Sequence, residues 1–182
     1  MVPPTRSALK KPGSREAKTH LKVKISIKDL ALMIIYAALY AALVYVAIPI
    51  SYGIAQFRIA GALRPAISKK WILAIGYGFG VLAANLFSPF AGPWDLVFMP
   101  LMSVVAGFAG YLIAKPFKQN YFVSGAVTAA IIAVSLSFMF EQFGLAPMYI
   151  TLLPLLVIEQ IVCLIGATVF QLIDRRFKWW QT

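Results

Sequence analysis

The stretch QFRIAGALRP, residues 56–65, decides how many times this chain crosses a membrane. It sets two arginines inside a sequence that is otherwise apolar from about residue 29 to residue 173. Around it lie five apolar segments, 29–48, 71–88, 94–114, 121–140 and 148–173, bounded by Pro49, SPFAGP (88–93), KPFKQN (115–120) and EQFGLAP (141–147). Each approaches the ~20 residues that cover a ~30 Å hydrocarbon core at 1.5 Å per residue. The quoted stretch belongs to a sixth segment, 54–67, which is only about 14 residues long. It can span only with help from its neighbours.

Loop charge settles the count. With six segments and a cytoplasmic N-terminus, the inner regions hold fifteen of the seventeen basic residues: eight in the first 28 positions, then Lys69, Lys70, Lys115, Lys118, Arg175, Arg176 and Lys178. The outer loops hold none, as the positive-inside rule requires. Five segments would put Arg175–Lys178 opposite the tail. The predicted fold is therefore all-α and integral to the membrane, a six-transmembrane-helix bundle (29–174) with both termini cytoplasmic, a basic tail (1–28) and a basic C-terminus (175–182). A hydrophobic content of 61% and a mean hydropathy of +0.82 exclude an ordinary soluble domain. The net charge of +11 is thus a topology signal at the lipid surface, and nucleic acid is not a partner.

Residues 1–20 read as a structureless tail, and LKVKISIK (21–28) as an interfacial segment. The first apolar run lacks a small-x-small cleavage site and reads as a retained helix. GSREAKT (13–19) misses the phosphate-loop pattern in spacing and lacks its second glycine, so it is no ATP site. The only histidine, His20, and the only cysteine, Cys163, form no metal constellation. Neither a metal nor a cofactor is expected. Small residues recur at four-residue spacing: Ala37/Ala41, Ala38/Ala42, Gly76/Gly80, Ser103/Gly107 and Ala106/Gly110. They strip side chains from one helix face so that another backbone approaches closely.

Ionisable groups inside an apolar zone cost at least ~2.5 kcal/mol and are functional candidates by default. Those present are Arg58, Arg64, Asp95, Glu141 and Glu159, with Gln56, Asn85 and Gln160 as neutral companions. Arg64, a turn or so before Lys69 and Lys70, is expected to snorkel to the cytoplasmic interface. Six residues separate it from Arg58, about 240° on an α-helix, so one ligand would not meet both. Arg58 is the expected recognition group. Glu159 falls near the bilayer middle on a face shared with Cys163 and Gly166, either pairing with Arg58 or serving a ligand. Asn85 is expected to meet Asp95 across SPFAGP, Glu141 to be solvated, and Trp94 to anchor at the interface or stack on a flat ligand. Most of these groups map to the outer half. No nucleophile with a base and no HExxH motif is present, so no enzymatic activity is expected.

ISYGIAQFRIAGAL (50–63) resembles the SYGPIQFRISEAL pattern of the QueT group, S-components of energy-coupling factor (ECF) transporters associated with queuosine precursors. AANLFSPFAGPWDLVF (83–98) is similar to that group's N-L-x-S-P…D-L-V-F stretch, and Glu159 to its intramembrane glutamate. The resemblance covers 29–173. It implies a six-helix subunit in the cytoplasmic membrane that binds a micronutrient from outside. It also implies partners: an EcfT-like transmembrane subunit and two ABC ATPases, docked through Ala37, Ala38, Ala41 and Ala42. The implied substrate is 7-deazaguanine-like, bound by Gln56, Phe57, Arg58, Asn85, Trp94, Asp95 and Glu159. One departure stands out: the group's glutamate in FRISEAL is Gly61 here, and Arg64 and Pro65 follow. A stand-alone proton-coupled transporter using Glu159, and a small scaffold or membrane enzyme, are the competing classes.

Overall fold

A computed structural model describes residues 25–51 and 57–181; the tail readings at 1–24 and the site residue Gln56 lie outside them. Every element among these residues is helical: α1 (Ile27–Val46), α2 (Ile48–Ser51), a 3₁₀ helix (Ile59–Ser68), α3 (Ile72–Asn85), α4 (Met99–Ala114), α5 (Tyr121–Gln142) and α6 (Met148–Arg176). A π turn, Trp94–Phe98, leads into α4, and short 3₁₀ turns follow at Lys115–Phe117 and Trp179–Gln181. Neighbours in sequence pack as neighbours in space, α1 on α3, α3 on α4, α4 on α5 and α5 on α6, while the 3₁₀ helix packs chiefly on α6 and α5.

Four stretches among the described residues are long and apolar enough to cross a bilayer: Ile27–Val46, Trp94–Phe117, Tyr121–Gln142 and Met148–Arg176. Their outward faces carry Ile34, Ile35, Leu101, Val105, Leu153, Val157, Leu164 and Leu172, all exposed. An apolar surface of that extent belongs in lipid. The remaining two of the six expected elements fall short by length: α3 has 14 residues and the 3₁₀ helix ten. The 3₁₀ winding compensates in part, since ten residues at ~2.0 Å reach about 20 Å where an α-helix would reach about 15 Å.

A 3₁₀ run of this length is uncommon, because its hydrogen bonds are poorer than those of an α-helix. Close packing holds it. A Cβ at Gly166 of α6 would collide with the Ala62 carbonyl, one at Gly125 of α5 would sit 3.1 Å from Pro65 Cγ, and one at Gly107 of α4 would sit 3.3 Å from Ile67 Cδ1. Gly166 and Gly125 thus form the bed for this segment, while Gly107 is tightest against Ala74 of α3, where a Cβ would lie 2.8 Å from the Ala74 Cβ.

The glycines of GYGFG divide between two partners. A Cβ on Gly76 or Gly80 would lie 2.8 Å from Met33 O or 3.0 Å from Ala37 O on α1, whereas one on Gly78 would strike Val104 of α4. The stretch is packing chemistry on both faces of α3. Near the C-terminal ends of α1 and α3 the Tyr45 hydroxyl donates to Ala83 O at 2.5 Å.

Helix ends follow local chemistry. Ser26 caps α1, its Oγ accepting from Lys28 N at 3.2 Å, and Asp29 reaches back to Ser26 N and across to Lys70 Nζ at 2.7 Å. The proline at 100 removes the donor for the Leu96 carbonyl and crowds it, and the chain before it widens into the π turn with Met99 N on Trp94 O. At the basic end, Trp180 Nε1 donates to Asp174 Oδ1 at 2.6 Å, and Lys69 Nζ lies 3.8 Å from Asp174 Oδ2 and 4.5 Å from the centre of the Tyr121 ring. That cluster ties the foot of the 3₁₀ helix to α5, α6 and the C-terminal turn.

Candidate functional site

Two layers of buried polar groups sit one above the other along the 3₁₀ helix. The outer layer joins the end of α3 to the π turn. Asn85 Nδ2 donates to Asp95 O at 2.9 Å and to Asp95 Oδ1 at 2.7 Å, both residues being fully buried. SPFAGP is short enough to fold these two ends together, the meeting expected from the sequence. Asn85 Oδ1 and Asp95 Oδ2 have no hydrogen-bond partner among the described residues. Arg58, also buried, donates through Nε to Ser51 O at 3.4 Å and lies close enough to Asp95 to act on its charge.

Aromatic rings line this layer. The Trp94 ring meets Phe98 and Phe138 in T-shaped arrangements at 5.5 and 5.6 Å between centroids. Phe57 is exposed at the head of the 3₁₀ helix. Glu141 is solvent-exposed as expected, and Gln160 turns away from the site to donate to Ala126 O at 3.0 Å on α5.

The inner layer overturns one expectation. Arg64 does not snorkel to the interface: it is 1% exposed, and its Nη1 is bound to Glu159 Oε2. The pairing expected of Arg58 is made by Arg64. The error lies in the winding, because the 240° offset holds for 3.6 residues per turn, whereas three per turn bring residues 61, 64 and 67 onto one face, with Arg58 extended at the N-cap before them. All four are buried. Arg64 folds back over Gly61, where a Cβ would lie 3.1 Å from its Cζ and equally close to Val162 Cγ1. The missing side chain at 61 is the room the guanidinium occupies. The trace of this in the sequence is the glycine three residues before the arginine, which points to the contact only once the winding is three residues per turn.

Around the pair stand the tyrosines of α1 and α3. Arg64 Cζ lies 5.5 Å from the centre of the Tyr77 ring, Tyr77 meets Tyr40 edge-on at 5.2 Å, and Tyr36, Tyr40 and Cys163 all interact electrostatically with Arg64. Cys163 Sγ is 3.6 Å from Gly61 O. Arg64 Nε, Glu159 Oε1 and the hydroxyls of Tyr36 and Tyr40 have no hydrogen-bond partner among the described residues. Leaving one such group unmade costs about 1–3 kcal/mol, more when it is charged. Four together are a large deficit for a purely structural core.

Comparison with known families is decisive at the level of class: the model of the QueT transporter family matches residues 30–175. The chain belongs to the QueT transporter family. No curated protein and no solved structure gave a match. As a QueT transporter the chain is a transport protein rather than an enzyme, and its four long apolar helices make it a multi-pass membrane protein. The matched span contains both buried layers and the alanines of α1. Those alanines separate in the fold: Ala41 is buried and Ala37 half-buried, while Ala38 and Ala42 are exposed.

Proposed function

We propose that this QueT transporter is the substrate-binding S-component of an ECF-type importer, with six membrane crossings and both termini cytoplasmic. It captures a queuosine precursor or a related 7-deazaguanine-like micronutrient from outside. An EcfT-like subunit and two ABC ATPases, docked on α1 through Ala38, Ala42 and their half-buried neighbours, supply the energy. The observation that carries the reading is the pair of stacked buried polar layers within the region matched by the family. Binding falls to Arg58, Asn85, Asp95 and Glu159, with Phe57 and Trp94 as aromatic neighbours and Gln56 as a further polar contact. Exposed alanines on α1 fit close approach by another helix, since small side chains let two backbones come together in lipid.

The test is calorimetric titration of detergent-purified protein with cyano- and aminomethyl-7-deazaguanine and with the complete queuine base, together with co-purification from cells carrying the ATPase module. Submicromolar binding without ATP, and partners retained through purification, are expected. Uptake that needs no partner and collapses with the proton gradient would replace this reading with a proton-coupled transporter. The Arg64 partner of Glu159 speaks against that alternative, because a paired carboxylate is a poor proton carrier.

A further inference from the structure

We infer that Arg64, Tyr36 and Tyr40 join Glu159 as the floor of the ligand site, and that this floor reads the lactam–amidine edge of a 7-deazaguanine. The inference rests on the transporter reading and deepens it. Arg64 stands just beyond the resembling motif, which has glutamate at the position of Gly61.

The chemistry follows from which atoms are left over. The pair uses Arg64 Nη1 and Glu159 Oε2, leaving Arg64 Nε as a donor and Glu159 Oε1 as an acceptor, with two phenol groups able to do either. A lactam–amidine edge presents a ring N–H and an exocyclic amine, both donors, beside a carbonyl acceptor. Glu159 Oε1 accepts from the N–H groups, Arg64 Nε donates to the carbonyl, and the tyrosine hydroxyls complete the edge. The ion pair need not break. Each charge keeps its partner while the ligand satisfies what the protein alone does not.

Placement of the two layers supports the same ligand. Arg64 lies in the 3₁₀ helix with Gly61 one turn before it, and Arg58 is the extended N-cap residue six positions back, about 12 Å away along the axis at ~2.0 Å per residue. A fused bicycle whose edge meets the inner layer therefore directs a substituent towards Arg58, Asp95 and Asn85. Arg64 and Glu159 are closed off from water in this structure, so admission of ligand requires the surrounding helices to part. Association slower than typical diffusional encounter follows.

The experiment compares 7-deazaguanine with 7-deazahypoxanthine, which lacks the exocyclic amine, on the full-length detergent-purified protein. Wild type, Glu159→Gln, Arg64→Lys and Tyr40→Phe are titrated, with monodispersity on gel filtration as the folding check. Tyr40→Phe keeps the ring packing and provides a readout if the charge variants fail to fold. Wild type is expected to prefer 7-deazaguanine by about 10- to 100-fold, the range of one hydrogen bond to a charged group. Glu159→Gln should erase most of that preference, and Arg64→Lys and Tyr40→Phe should weaken both ligands. Wild-type preference that persists unchanged in all folded variants would overturn the floor assignment while leaving the transporter reading intact. No binding of either base, or of any 7-deazaguanine precursor, to folded wild type would overturn both.

Discussion

The Arg64–Glu159 pair makes a thermodynamic claim that can be measured without any ligand. Replacing Arg64 by Met leaves the Glu159 carboxylate in the core at 2% exposure with neither oxygen engaged, and replacing Glu159 by Met strands the guanidinium over Gly61 and Tyr77. Removing one partner of a buried pair costs about 3–5 kcal/mol. The double replacement removes both charges at similar volume, and such apolar substitutions are often neutral or stabilising. The expected pattern is therefore two strongly destabilised single variants and a double variant near wild type. The coupling between the sites should be at least about 3 kcal/mol, since each single loss already includes the stranded partner. Unfolding by sodium dodecyl sulfate titration in mixed micelles, followed by tryptophan fluorescence, measures all four proteins. Single losses below about 1 kcal/mol that simply add in the double variant would refute the pairing, because independent sites add within about 0.5 kcal/mol.

Three further outcomes are expected. Ala38→Leu and Ala42→Leu, at exposed positions, should abolish co-purification of the ATPase module while leaving unfolding unchanged, whereas Ala41→Leu, at a position 7% exposed, should destabilise the isolated protein by about 1–3 kcal/mol. Gly80→Leu should do the same, since its first side-chain carbon would already sit 2.9 Å from Tyr40 Cβ and 3.0 Å from Ala37 O; unaltered unfolding would refute the α1–α3 approach. Cys163 is buried and is the only cysteine, so single reporters stand out against a quiet background. Lys178→Cys should react with a membrane-impermeant thiol reagent only from the cytoplasmic side and Phe87→Cys only from the outside; the same side for both would refute the six-crossing topology.

Much of this arrangement is legible in the sequence, and the reasons differ from residue to residue. Asn85 and Asp95 are joined by a short turn, so two polar groups that cannot stay unpaired in lipid had little choice but each other. Gly76 and Gly80 announced a close helix contact by spacing alone, although the same spacing could not say that Gly78 between them serves α4. Arg64 was misplaced because apolar periodicity carries no sign of whether a short segment winds at 3.0 or 3.6 residues per turn. The segment is received by glycines of α5 and α6, a tertiary fact that lies far from it in the sequence. Asp174 was likewise invisible as a ligand of Lys69 and Trp180, since it looks like one more charge at a helix end.

The winding of residues 59–68 also makes the site a gauge of its own geometry. Rewinding the six residues from Gly61 to Ile67 into an α-helix would turn the first against the second by about 120° and draw them about 3 Å closer along the axis. Arg64 lies over Gly61 and reaches Glu159 only while the segment is stretched and clasped by its neighbours. Loosening α6 at Gly166 would release the clasp, so the register of recognition and the tightness of the bundle are one variable, and a motion of α6 during transport would dismantle the binding column without touching a single one of its side chains.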